Sequence, residues 1–285
     1  MPVQAQKLAP ASSANIASES ASIGALSLAR QTPPPLSSPA LPRVFAPTLP
    51  RTTYTKYPWK MDIVATVFWC GEASTAANPT PNHKSSWDTE WQSNFGGFDD
   101  PEKRSPEYRP AGFVPKQNPF YVALPYNDCV DYSATKKDAA KVIPWFKKVF
   151  KKEGQSVCRD HWVAIRYGDR ICYAQWSDCG PFLTDDASYV FGAARPANSH
   201  NDGAGIDLSP AVRDYLGFKS GQKCDWRFVD LTEIADGPWK NFGSNNSFVQ
   251  LANQDKEMLA SRLEELKRQR DEWFKKSGNA DYQRR

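Results

Sequence analysis

Two aspartates stand where short apolar runs stop. Asp178 closes the run in "ICYAQWSDCGPF", and Asp207 lies in "GAGIDLSPAVRDYLG" about thirty residues later. A carboxyl group that follows Trp176 and precedes Pro181 and Phe182 sits in apolar surroundings, which raise its pKa toward that of a general acid. A carboxyl group two residues before a helix start meets backbone N–H groups and the positive end of the helix dipole. Those favour its ionised form, as a base or a charge stabiliser. Two carboxyl groups with opposed environments are what glycosidic-bond cleavage uses. Capping is the competing role for both, since aspartate also closes turns and helix starts.

Other residues fit the same chemistry. The loop "ANPTPNHKSSWDTEWQSNFGGFDDP" is too polar for a core and gathers Trp87, Asp88 and Trp91. Aromatic faces stack on sugar rings while carboxylates bond hydroxyls, so these three are expected to line subsites, with a lid packed on the domain as the alternative. In "YVALPYND", Tyr121, Tyr126 and Asp128 are either core or wall of the same site, and Trp176 is either core or sugar platform. His83 is a lone loop histidine, a type that is generally solvated. Cys70 and Cys179 have no neighbouring histidine to make a thiolate nucleophile. With three histidines in the chain and no CxxC pair, a zinc site is not expected, and the site is read without metal or cofactor.

Such groups need a rigid frame. From residue 58 to 242 short apolar runs ("DIVATVFWC", "PFYVALPY", "HWVAIRYGDRICYAQW", "DWRFVDL") alternate with Pro, Gly and Asn, the texture of a barrel or sandwich. "YGD" reads as a hairpin turn between two paired strands. "SPAVRDYLG" reads as a short helix with Ser209 as N-cap, Pro210 at its first position and Gly217 just past its end. "TKKDAAKVIPWFKKVFKKE" reads as a basic surface helix started or kinked by Pro144, with attraction to an anionic polymer or membrane as the functional alternative. Residues 243–285 read as a long charged helix whose stripe of Leu259, Leu263, Leu266 and Trp273 either seals self-association or packs on the barrel. Residues 1–57, rich in Ala, Ser and Pro, read as a disordered linker without a visible signal peptide.

Bulk numbers exclude some classes. A net charge of +4 over 285 residues is far from the dense basic stripe of a duplex binder, so nucleic acid is not an expected partner. No apolar run reaches the roughly 20 residues of a membrane span. Six cysteines, an even number, suggest disulfides formed in an oxidising compartment, with buried thiols as the alternative.

The ordered set of a strand, "SDCGPF", "GIDLSPAVRDYLG" and the strand "DWRFVD" resembles the double-psi β-barrels of the rare lipoprotein A and expansin type. The resemblance is densest over residues 163–230, and it extends to "ATVFWCGE" and "FYVALP". It implies a mainly β, six-stranded double-psi barrel with long loops and short helices, and a groove that holds a glycan above an acidic floor. Asp207 matches the aspartate of the expansin "DLSP" step, and Asp178 matches the aspartate before Gly-Pro. Tyr121 stands where rare lipoprotein A proteins carry a histidine. The implied function is action on a cell-wall polysaccharide, peptidoglycan or another wall glycan, by a periplasmic or secreted protein. Cleavage of lytic-transglycosylase or hydrolase type is one form; a non-catalytic, wall-loosening carbohydrate-binding module is the other.

Overall fold

The computed structural model describes residues 56–75 and 78–277. The expected linker therefore lies outside the described residues, except for its last two positions. Tyr57 is no linker residue: it is buried, edge-on to Trp145 and Phe228.

Among the described residues the strands are β1 (Lys60–Val67), β2 (Tyr121–Leu124), β3 (Cys129–Asp131), β4 (Ala134–Thr135), β5 (Trp162–Tyr167), β6 (Arg170–Cys179), β7 (Ile206–Leu208) and β8 (Lys223–Phe228). Six of them close a mixed barrel in the order β1-β7-β2-β6-β5-β8, and β3 with β4 forms a separate ribbon. The pairs β1/β7 and β2/β6 are parallel; the other barrel pairs are antiparallel. Closure removes the open strand edges that would otherwise template aggregation.

Local sequence explains the elements. β5 and β6 are rich in aromatic and β-branched residues and turn through two residues, Tyr167 pairing with Arg170 and Gly168 supplying a φ of +56°. Alternation along β2 sends Val122 and Leu124 into the barrel and leaves Tyr121 and Ala123 on its outer face. Inside, Trp176, Trp226, Leu124 and Ile165 are fully buried, and aliphatic side chains of this kind contribute about 1.5–3 kcal/mol each. Outside, Tyr121 and Ala123 pack with Phe68, Cys70, Trp91 and Phe95 in a second, smaller core. That core moors the long loop before β2 against the barrel wall.

The expected helices are present with one change of form, beside the short turns α1 (Trp91–Phe95) and α4 (Ala187–Val190). α5 (Pro210–Leu216) has Ser209 accepting from the Val212 amide and Gly217 in the left-handed region. The basic segment is two single turns, α2 (Ala139–Val142) and α3 (Phe146–Val149), because Pro144 cannot continue the first. α6 (Ser247–Lys276) is rooted by buried Asn246, whose amide bonds the Trp239 and Phe242 carbonyls. Its stripe of Leu259, Leu263, Leu266 and Trp273 is exposed, so it does not pack on the barrel. Among the described residues no helix is long and apolar enough to cross a membrane.

The disulfide expectation fails. All six cysteines are free thiols, five buried and Cys179 partly so. They sit in strands and loops as small apolar core residues, the role such thiols commonly fill.

Candidate active site

Backbone register assembles the site. Thr66 of β1 pairs with Asp207 of β7, Asp207 pairs with Ala123 of β2, and Ala123 pairs with Asp178 of β6. Cross-strand partners point to the same face, so one row presents Thr, Asp, Ala and Asp on the outside of the barrel. Ala123 separates the two carboxyl groups and contributes only a methyl group.

Asp178 reaches that face through a bulge. Val122 stands opposite Trp176, yet its neighbour Ala123 stands opposite Asp178, so Ser177 is an extra residue on β6. Strict alternation would send Asp178 inward with Trp176. The bulge turns it outward, and the Trp176 indole N–H holds the displaced Asp178 carbonyl from inside at 2.7 Å.

The row floors a cleft of about 830 Å³ walled by Pro79 to Ser86 on one side and by Gly180, Pro181 and Phe182 on the other. The Ser86 and Cys179 backbone amides donate to Asp178 Oδ1 at 2.7 and 2.8 Å. Burial nevertheless dominates and raises the Asp178 pKa to about 6, the hydrogen bonds opposing it. Asp207 accepts from the Thr66 hydroxyl. Burial raises its pKa to about 7, with further upward pushes from the Asp178 and Glu72 charges. A Cβ at Gly180 would stand 3.1 Å from Asp207 Oδ2, so glycine there keeps this oxygen uncovered. Glu72, also raised by burial and bonded by the Asn82 amide, is a third carboxyl group in the cleft.

These environments depart from expectation at Asp207 and meet it at Asp178. Asp207 was to be held ionised by the start of α5, but that helix caps itself with Ser209 and the Asp207 carboxyl receives only a hydroxyl. Apolar surroundings are expected to raise Asp178, and burial does raise it, although the two amides that donate to its carboxylate oppose the rise.

The aromatic platform expected around them lies elsewhere. None of Trp87, Asp88, Trp91, Tyr121, Tyr126, Asp128 and Trp176 lines the cleft, and all seven are buried. Trp87 packs edge-on to Trp176 and bonds Asn127; Trp91 packs edge-on to Tyr121. The Tyr121 hydroxyl accepts from the Cys70 amide and donates to Asp99, each at 2.8 Å. Tyr126 lies edge-on to Phe191. Asp88 is spent on Asn94, Gln117 and Arg159, and Asp128 on the Ser156 hydroxyl and the Val157 amide. These rings fill the interior, so they give no stacking face to this cleft.

Residues that sequence reasoning passed over take their place. Thr66, Ser86, Ala123 and Glu72 line the cleft, with half-exposed Phe182 at its rim as the available ring. Thr66 and Ala123 carry no chemical signal in sequence; only strand register marks them. His83 lines the cleft from an exposed position. Among the described residues no group of three His, Cys, Asp or Glu side chains is placed to hold a metal ion. No protein-family model matches the chain, and no curated protein matches it by sequence.

Proposed function

We propose that the cleft takes a cell-wall glycan and cleaves a glycosidic bond, in the exported, double-psi setting that the resemblance implies. The observation that carries this is the single row in which buried Asp178 and half-buried Asp207, each raised by desolvation, flank a methyl group on the floor of an open cleft. The parallel pairings β1/β7 and β2/β6, between strands distant in sequence, support the double-psi reading. The cleft wall adds hydroxyl and amide groups of Thr75, Asn78, Thr80 and Asn82, which suit sugar hydroxyls.

In this reading Asp207, protonated near neutrality, donates its proton to the leaving glycosidic oxygen. Asp178, ionised and held by two amides, stabilises the oxocarbenium-like sugar or takes the proton of the attacking hydroxyl or water. The proton lost by Asp207 and the proton gained by Asp178 balance over the cycle. Location outside the cytoplasm rests on the resemblance alone, because free thiols give it no support.

Product analysis on purified wall glycan is the test. New reducing ends or anhydro-sugar ends that vanish in both Asp178→Asn and Asp207→Asn support cleavage. Retention on the insoluble polymer without new ends, lost in the same variants, transfers the site to the wall-loosening binding reading. Full activity in both variants refutes the site.

A further inference from the structure

A second cavity of about 740 Å³ lies behind the cleft wall. Ser86 lines both spaces, its amide bonded to Asp178 on the cleft side. One flank of the cavity is the β3–β4 ribbon, which leaves Val130 and Tyr132 68% and 62% exposed; the other carries Val149, Lys151 and Lys152. The flanks are locked together. Gly154 (φ +69°) passes so close to the ribbon that a Cβ would sit 2.2 Å from the Tyr132 carbonyl oxygen, and the Thr135 amide bonds Glu153. Exposed apolar groups on a rigid frame are a preorganised surface, not a frayed edge.

Charge says what the surface takes. Residues 136–152 hold seven lysines and one aspartate in a chain whose whole net charge is +4. The acidic groups of the groove are already engaged: Asp131 binds the Ser133 amide and hydroxyl, and Asp160 binds Asn245 and Arg159. Lys151 and Lys152 form no ion pair or side-chain hydrogen bond among the described residues. The cleft differs in charge, with the carboxyl groups of Glu72 and Asp178 on its lining beside Lys84 and the proton-bearing Asp207. A carboxylate on a bound polymer is thus repelled from the cleft floor and attracted into the groove.

We propose that this groove is a second subsite, which holds acidic substituents of the same glycan whose sugar chain lies in the cleft. The proposal rests on the glycan reading of the cleft and adds its substrate class: an anionic polymer, set in register by its carboxylates. Tyr132 supplies the face against which the substituent's apolar part packs, and Lys151 and Lys152 meet its charge.

Binding of the full chain is measured on native peptidoglycan sacculi, on sacculi whose carboxylates have been amidated, and on phosphatidylglycerol vesicles. The wild-type chain is expected to bind native sacculi about five- to tenfold more tightly than amidated ones, the range that two exposed charge pairs supply. The double variant Lys151→Gln/Lys152→Gln, at exposed positions that do not burden folding, is expected to lose that preference. Equal wild-type binding to both sacculi, or a double variant that keeps the preference, overturns the proposal. A double variant that loses only vesicle binding also overturns it and assigns the lysines to lipid headgroups. Asp178→Asn, assayed for cleavage in parallel, separates the two failures. An inactive variant with no carboxylate preference removes the groove alone, whereas an active one removes the cleft reading beneath it.

Discussion

Asp207→Asn should make the protein more stable at neutral pH while abolishing the glycan cleavage proposed for the cleft. The Asp207 carboxyl titrates at about 7 in the fold against an ordinary value of 3.8. That gap of about three pH units corresponds to about 4 kcal/mol of preference for the protonated form. Asp207 is partly open to the cleft and shares its field with Asp178, so about 2–4 kcal/mol is the working range. The sign follows from proton counting. Between pH 3.8 and 7 the folded chain keeps a proton that the unfolded chain has released, so raising the pH stabilises the unfolded state. The contribution is fully present below pH 3.8 and is lost as the pH climbs through 7. Asparagine resembles the neutral carboxyl, can still accept from the Thr66 hydroxyl and does not ionise. Urea unfolding at pH 4 and pH 8 should therefore give equal stabilities for wild type and variant at the lower pH. At the higher pH the variant should lead by about 2–4 kcal/mol, or about 5–15 °C in melting temperature. A difference that does not change with pH, or a variant weaker than wild type at pH 8, would refute burial as the cause of the shift.

Three further outcomes are open to direct measurement. Tyr121→Phe strands the Cys70 amide and an oxygen of Asp99, and its urea midpoint should correspond to a loss of about 1–3 kcal/mol. Ala123→Leu fills the gap between the carboxyl groups, so the glycan cleavage proposed for the cleft should fall at least about a hundredfold while circular dichroism stays native. A thiol titration without reductant should count six groups after unfolding, and reductant should leave the melting temperature unchanged, whereas a bridge would add ~2–4 kcal/mol.

Much of the frame can be read in the chain. The β5–β6 hairpin, the Ser209 cap and the Gly217 stop of α5 are local events, fixed by turn and capping residues within a few positions of each other. Asp178 and Asp207 are also legible, because a carboxyl group at the end of an apolar run is conspicuous. Their acidities are not. These depend on the amides of Ser86 and Cys179 and the hydroxyl of Thr66, and on a bulge at Ser177 that only pairing with β2 reveals. The aromatic residues mislead for a related reason. Trp87 and Trp91 lie in a polar stretch, which hides that their rings turn into two separate cores. Periodicity marks which residues can be buried, but which rings stay outside is decided when the barrel closes.

The floor of the cleft draws on four strands, from Thr66 in β1 to Asp207 in β7, 141 positions apart. No hairpin and no contiguous fragment holds both carboxyl groups in place. Contacts over such separations form late, since each must first bear the entropy of closing its loop. Assembly of the cleft floor during refolding should therefore trail the collapse of the tryptophan-rich interior, and a chain interrupted anywhere between those strands should lack that floor until its pieces reassociate. In this architecture an assembled cleft floor doubles as a report that the barrel has closed.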